Sequence, residues 1–274
     1  MNEPPLRSAP PVLKQWFQRG LRRTHLLFAR RELPERIALY LHSLDPDEQP
    51  ALRAMLQWCR DQGRVFVDTD RYLAPDCPAG AVNVSFDDNH RGWHEALPVF
   101  AEFGVPVTFY VNTCVLRGEC SEDQVRRYYD LVNHYGRREP LTAGEIAEIR
   151  RAGHIVGAHT HSHLAMRRVP ASTAREDLSV NRRMLEEITG GPVVHFSYPF
   201  GVRRHFTPAL EEMVREMGFH SIADATPGLL YEKFKPAWIR RTYWMLDRPV
   251  SWNAANLRVN GGLWVKLTSL SPIG

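Results

Sequence analysis

From Ile37 onward, apolar positions fall into short continuous or alternating runs separated by longer stretches of helical spacing. Ile37-Ala-Leu-Tyr-Leu41 is too short for a stable helix and reads as a buried strand ending at His42. Between Asp47 and Asp61, Leu52, Met55, Leu56 and Cys59 share one face of a helix. Arg64 to Val67 is a short strand, and Val82, Val84 and Phe86 alternate along a strand from Ala81 to Phe86. Trp93 to Phe103 is predicted helical and closed by Gly104, Val105 to Val111 is a strand, and Glu122 to Tyr135 is a helix. Thr142 and Glu145 form a capping box that opens a helix ending at Gly153, followed by a strand from His154 to Ala158. A helix from Ser172 to Thr189 stops at Gly190-Gly191, and Val193 to Ser197 is the next strand. Thr207-Pro208 opens a helix that runs to Gly218. Phe219 to Ala223 and Trp238 to Tyr243 are the last predicted strands, and Met245 to Gly274 shows no pattern that assigns an element.

Strands alternating with helices over this length imply an α/β protein with a parallel sheet and right-handed crossovers. His42, Asp87-Asp88, His159 and Tyr198 each fall at or just after the C-terminal end of a predicted strand. In a β/α barrel those ends share the face on which sites are built. An open doubly wound sheet would also gather them, so the barrel is the favoured of two expectations. The expected organisation is an arm over residues 1–35, the α/β body over 36–250 and an extension over 251–274.

Hydrophobic residues at 43% and charged residues at 24% are those of an ordinary globular protein. No apolar run is long enough to span a bilayer, and the N-terminus lacks a secretory h-region, so a cytoplasmic location is expected. Residues 1–36 carry eight basic against three acidic side chains, which leaves the body slightly acidic within a total of +4. That distribution argues against nucleic-acid binding by the body. Within the arm, Val12, Leu13, Trp16, Phe17 and Leu21 lie at helical spacing among Lys14, Arg19, Arg22 and Arg23. Such a helix either packs on protein or rests on an anionic membrane, which would make the protein peripheral at the inner membrane surface. Cys59, Cys77, Cys114 and Cys120 match neither a metal knuckle nor a disulfide framework and read as packing residues.

The candidate chemistry starts at Asp87-Asp88. Two adjacent carboxylates repel, so they call for a cation or for a solvated turn. His159 and His163 are four apart and share a face if their segment turns helically. Two histidines and one carboxylate leave an open position on zinc, as a hydrolytic site requires, while the second aspartate stays free to take a proton.

Ser-Phe-Asp87-Asp88-Asn resembles the T/S-F-D-D-G motif of the polysaccharide deacetylases, the NodB-homology or carbohydrate esterase family 4 group. Gly-Ala-His159-Thr-His-Ser-His163 resembles their H-[ST]-x-x-x-H motif, and His195-Phe-Ser-Tyr198-Pro199-Phe200-Gly201 is similar to their F-x-Y-P-[YF]-G motif. The resemblance spans about Ile37 to Trp244. It implies a deformed (β/α) barrel of the NodB type, with Asp87 as general base and Asp88, His159 and His163 as ligands of a divalent metal. Zinc is the expected ion, with cobalt or nickel as alternatives, and His161 is a spectator. Tyr198, Pro199, Phe200 and Gly201 would line the sugar groove, with a backbone N–H near Phe200 toward the oxyanion.

Three departures from the family pattern matter. Asn89 replaces the motif glycine, at a position where Asn still tolerates a left-handed backbone. Ser197 stands where an arginine is usual, and Arg241, or its neighbour Arg240, is the candidate to supply that guanidinium. No histidine follows His220, so the usual C-terminal Leu-x-His is missing. Ile37-Ala-Leu-Tyr-Leu-His42 resembles that motif moved to the front, as in the branch resembling poly-N-acetylglucosamine deacetylases, and His42 is therefore the expected general acid. His90 and His94, either side of Trp93, are expected at the surface or groove, and Trp252 and Trp264 are expected in packing roles. The implied activity is metal-dependent removal of an acyl group, N-acetyl first, from an amino sugar in a polysaccharide or glycoconjugate. A deacylase or deformylase of a lipid- or nucleotide-linked sugar, and a non-catalytic carbohydrate-binding relative, are the alternatives.

Overall fold

The structure is a computed structural model that describes residues 33–201, 205–225 and 238–258. Its strands are β1 (Ile37–Leu41), β2 (Val65–Phe66), β3 (Ala81–Asp88), β4 (Val107–Val111), β5 (Ile155–Ala158), β6 (His195–Ser197), β7 (Ser221–Asp224), β8 (Trp238–Arg240) and β9 (Thr242–Tyr243). Their order in one sheet is β8-β7-β6-β5-β4-β3-β1-β9, with β2 beside β3, and every pairing is parallel. The two ends of that order, β8 and β9, are separated by one residue, Arg241. A sheet whose first and last strands are nearly continuous in the chain has curled round on itself. The Arg241 N–H donates to the Asp224 carbonyl at 3.2 Å on one side of the seam, and the Trp244 N–H donates to the Tyr40 carbonyl at 3.0 Å on the other. The fold is thus the nearly closed, deformed (β/α) barrel, and the open sheet is ruled out.

Around the strands lie α1 (Gln49–Asp61), α2 (Thr69–Leu73), α3 (Gly92–Glu95), α4 (Leu97–Phe103), α5 (Glu122–Leu131), α6 (Ala143–Arg151), α7 (Ala171–Thr189), α8 (Pro208–Glu216) and α9 (Val250–Leu257). Leu52, Met55, Leu56 and Cys59 of α1 are buried as its spacing requires. Both halves of the capping box at α6 are made, Thr142 N–H to Glu145 at 2.8 Å and Glu145 N–H to Thr142 at 3.1 Å. Gly104 ends α4 at φ 58°, in the left-handed region a glycine enters without steric cost. Leu39, Val84, Phe86 and Phe109 from the central strands share one core with α1, α4, α6 and α7.

The differences from expectation have local causes. The helix expected from Trp93 to Phe103 is two helices, because Pro98 cannot donate to the His94 carbonyl and its ring crowds that turn. The short α2 escaped the periodicity, being only five residues long. It starts on an Asp68 cap that accepts from the Arg71 N–H at 2.7 Å, and Thr69 reaches the Thr108 hydroxyl at 2.7 Å inside the barrel. β3 runs two residues further than predicted and ends on Asp88 itself. The boundary expected at residue 250 falls on the first residue of α9, whose Ala254 and Leu257 are buried. The basic stretch of the arm, up to residue 32, and Trp264 lie outside the described residues. No described helix is long and apolar enough to cross a membrane.

Candidate active site

Strand register assembles the site. Leu41 pairs with Phe86, so His42 leaves β1 level with Asp87. Asp88 pairs with Val111, Val111 with Ala158, and Ala158 with Phe196. His159 and Ser197 therefore emerge one residue further on, at the same end of the barrel.

Asp88 has φ 87°, a conformation that costs a non-glycine residue about 1–3 kcal/mol. Its Oδ1 lies 3.5 Å from His159 Nε2 and 3.4 Å from His163 Nε2. The two histidines do not share a helix face. They sit on a loop bent by left-handed Thr160 (65°) and His163 (53°). That loop is fastened from outside. Asp177 of α7 accepts from the His161 N–H at 2.7 Å and the Ser162 hydroxyl at 2.6 Å, and Asn112 donates to the His159 and Thr160 carbonyls at 2.5 and 2.8 Å. His159 Nδ1 donates to the Ser197 carbonyl at 2.6 Å. A carbonyl only accepts, so Nδ1 carries the proton and the Nε2 lone pair faces Asp88. His161 turns away to the Thr113 hydroxyl at 2.9 Å.

The three donor atoms lie within 4.8 Å of one another and all three residues are buried. Ligands bound at about 2.1 Å in a tetrahedral arrangement stand about 3.4 Å apart, which is the spacing Asp88 keeps from both histidines. Two imidazole nitrogens and one carboxylate oxygen suit a divalent ion such as zinc. Burial would raise the Asp88 carboxyl, but the neighbouring imidazoles of His159, His163 and His90 hold it well below its ordinary value.

Asp87 is held apart from this group. Arg241 grips it with two parallel hydrogen bonds of 2.6 and 2.7 Å. The guanidinium is 0% exposed, and its other donors reach the Ser85 hydroxyl (3.0 Å), the Ser197 hydroxyl (2.7 Å) and the Asp224 carbonyl (3.0 Å). Its carbon lies 4.9 Å from the Tyr40 ring centre and 5.2 Å from that of Tyr110, which adds cation–π attraction. Ser197 also donates to Asp87 at 3.2 Å. Ser197, at the position where the resemblance places an arginine, thus bridges Asp87 and the Arg241 guanidinium. Of the two arginines left open by the sequence, Arg241 is the one in the site. Burial pushes the Asp87 carboxyl up, but the Arg241 charge and hydrogen bonds together with His159 and His42 hold it below its ordinary value.

The His42 ring meets Tyr40 and Tyr243 edge-on, at 5.4 and 5.2 Å between centres. It opens on a cleft of about 190 Å³ walled by Ser43, Glu48, Tyr243 and Asp247. The Trp93 indole donates to the His42 carbonyl at 2.7 Å. Gly92 fixes the loop behind it, since a Cβ there would sit 1.6 Å from the Leu44 carbonyl oxygen. Burial lowers the His42 pKa against the opposing pull of Asp88 and Asp87.

Three expectations need correction. Tyr198 is 1% exposed, its hydroxyl bonds the Gly201 carbonyl at 3.1 Å and its ring stacks on Phe206. It is a core residue and its side chain lines no groove, and Pro199 and Gly201 are also buried. Phe200, left-handed at φ 64° and 41% exposed, is the member of the motif that faces out, beside His163. His90 is 3% exposed and not a surface residue, whereas His94 bonds Glu148 at 2.6 Å on the outside.

Asn89 does not take the left-handed conformation; Asp88 does. Asn89 instead ties three loops together, donating to the carbonyls of Asn112 (3.0 Å) and Val115 (2.7 Å) and accepting from the Leu141 N–H (2.8 Å). Asn89→Gly, which restores the usual motif residue, is expected to destabilise the protein by about 1–3 kcal/mol because the buried Leu141 N–H loses its partner. Chemical denaturation checks this.

Four polar side chains that hold this site carry no motif in the sequence: Ser85 bonds Arg241, Asn112 the His159 and Thr160 carbonyls, Asp177 the His161 N–H and Asn181 the His159 N–H. Their one signal was Ser85 within the apolar run of β3, since a polar side chain buried there needs a partner.

Residues 75–222, just over half of the chain, match the family model described as polysaccharide deacetylase. Among solved structures, IcaB from Ammonifex degensii superposes with a TM-score of 0.66 at 21% identity, covering 82% of this chain and 98% of that one. A polysaccharide deacetylase from Bacillus cereus gives 0.64 at 17% identity, covering 82% and 69%. A de-N-acetylase from Aggregatibacter actinomycetemcomitans gives 0.60 at 15% identity, covering 81% and 99%. At such identities the likeness is one of fold. No curated protein matches by sequence.

Proposed function

The chain belongs to the polysaccharide deacetylase family, and from that premise we propose that it removes an acyl group, N-acetyl first, from an amino sugar of a polysaccharide or glycoconjugate, with a divalent metal as cofactor. The observation that carries the reading is the division of labour at the end of β3. Asp88 joins His159 and His163 in a group that could hold the ion, while Asp87 is kept ionised and apart by Arg241. A bound ion, zinc by preference of this donor set, would supply a water of lowered pKa and polarise the acyl oxygen.

The remaining roles fall to the chain's own side chains. Asp87 takes the proton from the attacking water, and Arg241 holds both carboxylate oxygens so that the base cannot swing onto the ion. His42, level with Asp87 on the neighbouring strand, gives a proton to the departing nitrogen. Its lowered pKa makes the protonated ring a ready donor, and the protonated fraction shrinks as pH rises, so activity should fall on the alkaline side. The exposed Phe200 ring offers a face for the sugar, and the backbone N–H groups beside it can receive the oxyanion. The N-acetyl preference takes support from the de-N-acetylase that shares the fold. A purely carbohydrate-binding relative would have no use for two buried carboxylates, whose desolvation is costly.

A deacylation screen with metal content recorded tests the proposal. N-acetylglucosamine oligomers are expected to release acetate about tenfold or more faster than N-formyl or O-acetyl analogues release their acid, with one metal per chain and loss of release on chelation. A folded chain with no stoichiometric metal and no acid released from any of them would overturn the enzyme reading in favour of the binding module.

A further inference from the structure

We propose that His90 is a positioning residue for Asp88, supporting the carboxylate oxygen that faces away from the metal group. The inference rests on the metal centre proposed above and extends it to a residue outside the three ligands.

The two oxygens of Asp88 have different surroundings. Oδ1 faces His159 and His163, whereas Oδ2 has His90 Nε2 at 4.0 Å. Neither ring nitrogen of His90 has a hydrogen-bond partner among the described residues, although the side chain is buried. Three aromatic rings pack on it, Trp93, Tyr129 and His134, with ring centres 5.8, 5.3 and 4.6 Å away. One polar atom on each of two of those neighbours is already engaged. The Tyr129 hydroxyl donates to the Asn89 carbonyl at 2.8 Å, and His134 Nε2 bonds the Arg137 carbonyl at 3.1 Å.

A buried imidazole with both nitrogens unpaired costs stability that an apolar ring of the same size would not. Packing alone therefore does not account for a histidine here. Asp88 does account for it, because a carboxylate that gives one oxygen to a metal is steadied by a hydrogen bond to the other. The backbone on either side is fixed by the left-handed turn at Asp88 and the three hydrogen bonds of Asn89. About 1 Å of side-chain adjustment brings His90 Nε2 and Asp88 Oδ2 to hydrogen-bonding distance.

The test compares wild type, His90→Phe and His90→Gln by two measurements: zinc affinity, from competition with a chelator, and the melting temperature of the metal-free protein. His90→Phe fills the aromatic pocket without a donor. It is expected to weaken zinc binding about 10- to 100-fold while the metal-free melting temperature stays unchanged or rises. His90→Gln keeps an N–H and is expected to recover part of the lost affinity. If wild type binds zinc and His90→Phe binds it equally well, the role of His90 is wrong and the metal centre stands. A fall in metal-free stability as large as the loss of affinity would make His90 a packing residue. His90→Gln binding no better than His90→Phe would rule out the hydrogen bond. If wild type binds no divalent ion, the metal centre fails and this inference with it.

Discussion

Arg241→Met is expected to destabilise the protein by about 3–5 kcal/mol and to lower its melting temperature by roughly 6–20 °C. Methionine fills much of the same volume, so the effect comes from charge. Arg241 is fully buried, and all its donors serve Asp87, two serines and one carbonyl. Removing it leaves the Asp87 carboxylate buried, with Ser197 as its remaining hydrogen-bond partner among the described residues. The pH dependence identifies the cause. In the wild type the Asp87 pKa lies below its ordinary value. Its contribution is therefore present above the unfolded carboxylate pKa of about 4 and is lost as pH falls through the lower folded value. Without Arg241, burial dominates and lifts the folded pKa above the ordinary value. The ionised carboxylate then costs stability at neutral pH, and protonation relieves that cost as pH falls. The gap between wild type and variant should thus be widest near neutral pH and narrow on acidification toward about pH 4. Thermal melts across that range measure it, and a gap that does not change with pH would show that lost packing, not the stranded charge, is responsible. Arg241→Lys should recover little, because one ammonium cannot reproduce the two-pronged contact.

That arginine also shows where sequence reading stops. The spacing of apolar residues located each of the longer strands, and Asp88, His159 and His163 lie together in one buried group, brought there by a left-handed loop and not a helical turn. Arg240 and Arg241 are the same residue type and adjacent in the chain. Only the pairing of Asp224 with Arg240 on β7 and β8, and the crossing from β8 to β9 at Arg241, decides which one enters the barrel. Tyr198 and Phe200 would share a side of a regular strand. The left-handed backbone at Phe200 breaks that parity, so one ring packs in the core and the other meets solvent. Ser85 and Ser197 carried no legible role because the groups that give them one, Asp87 and Arg241, are distant in the chain or on another strand. His42 was legible through its place at the end of β1 and through the likeness of Ile37–His42 to a displaced Leu-x-His motif. Its neighbours β3 and β9 flank β1 as a rearranged strand order requires, and both His42 and Arg241 lie outside the stretch that matches the family.

Asp87→Asn separates proton transfer from every other property of the site. Acetate release from N-acetylglucosamine oligomers is expected to fall about 10²- to 10⁴-fold, the usual value of a general base. Bound metal should be retained, since Asp88, His159 and His163 are untouched and the hydrogen bonds of the Asp87 carboxylate go to Arg241 and Ser197. The asparagine oxygen can still accept from one Arg241 N–H, and the other Arg241 donors keep Ser85, Ser197 and the Asp224 carbonyl. The loss of stability should therefore be smaller than for Arg241→Met, although the cation loses its counter-charge. The two variants then form a matched pair. Arg241→Met strands an anion and moves the pH dependence of stability, whereas Asp87→Asn removes the proton acceptor and leaves that dependence largely flat. Acetate release, metal content and melting temperature measured on the same preparation decide the matter. Release within tenfold of wild type, with metal bound and the fold intact, would mean that the proton goes elsewhere and that the grip of Arg241 on Asp87 serves the barrel seam and not the reaction.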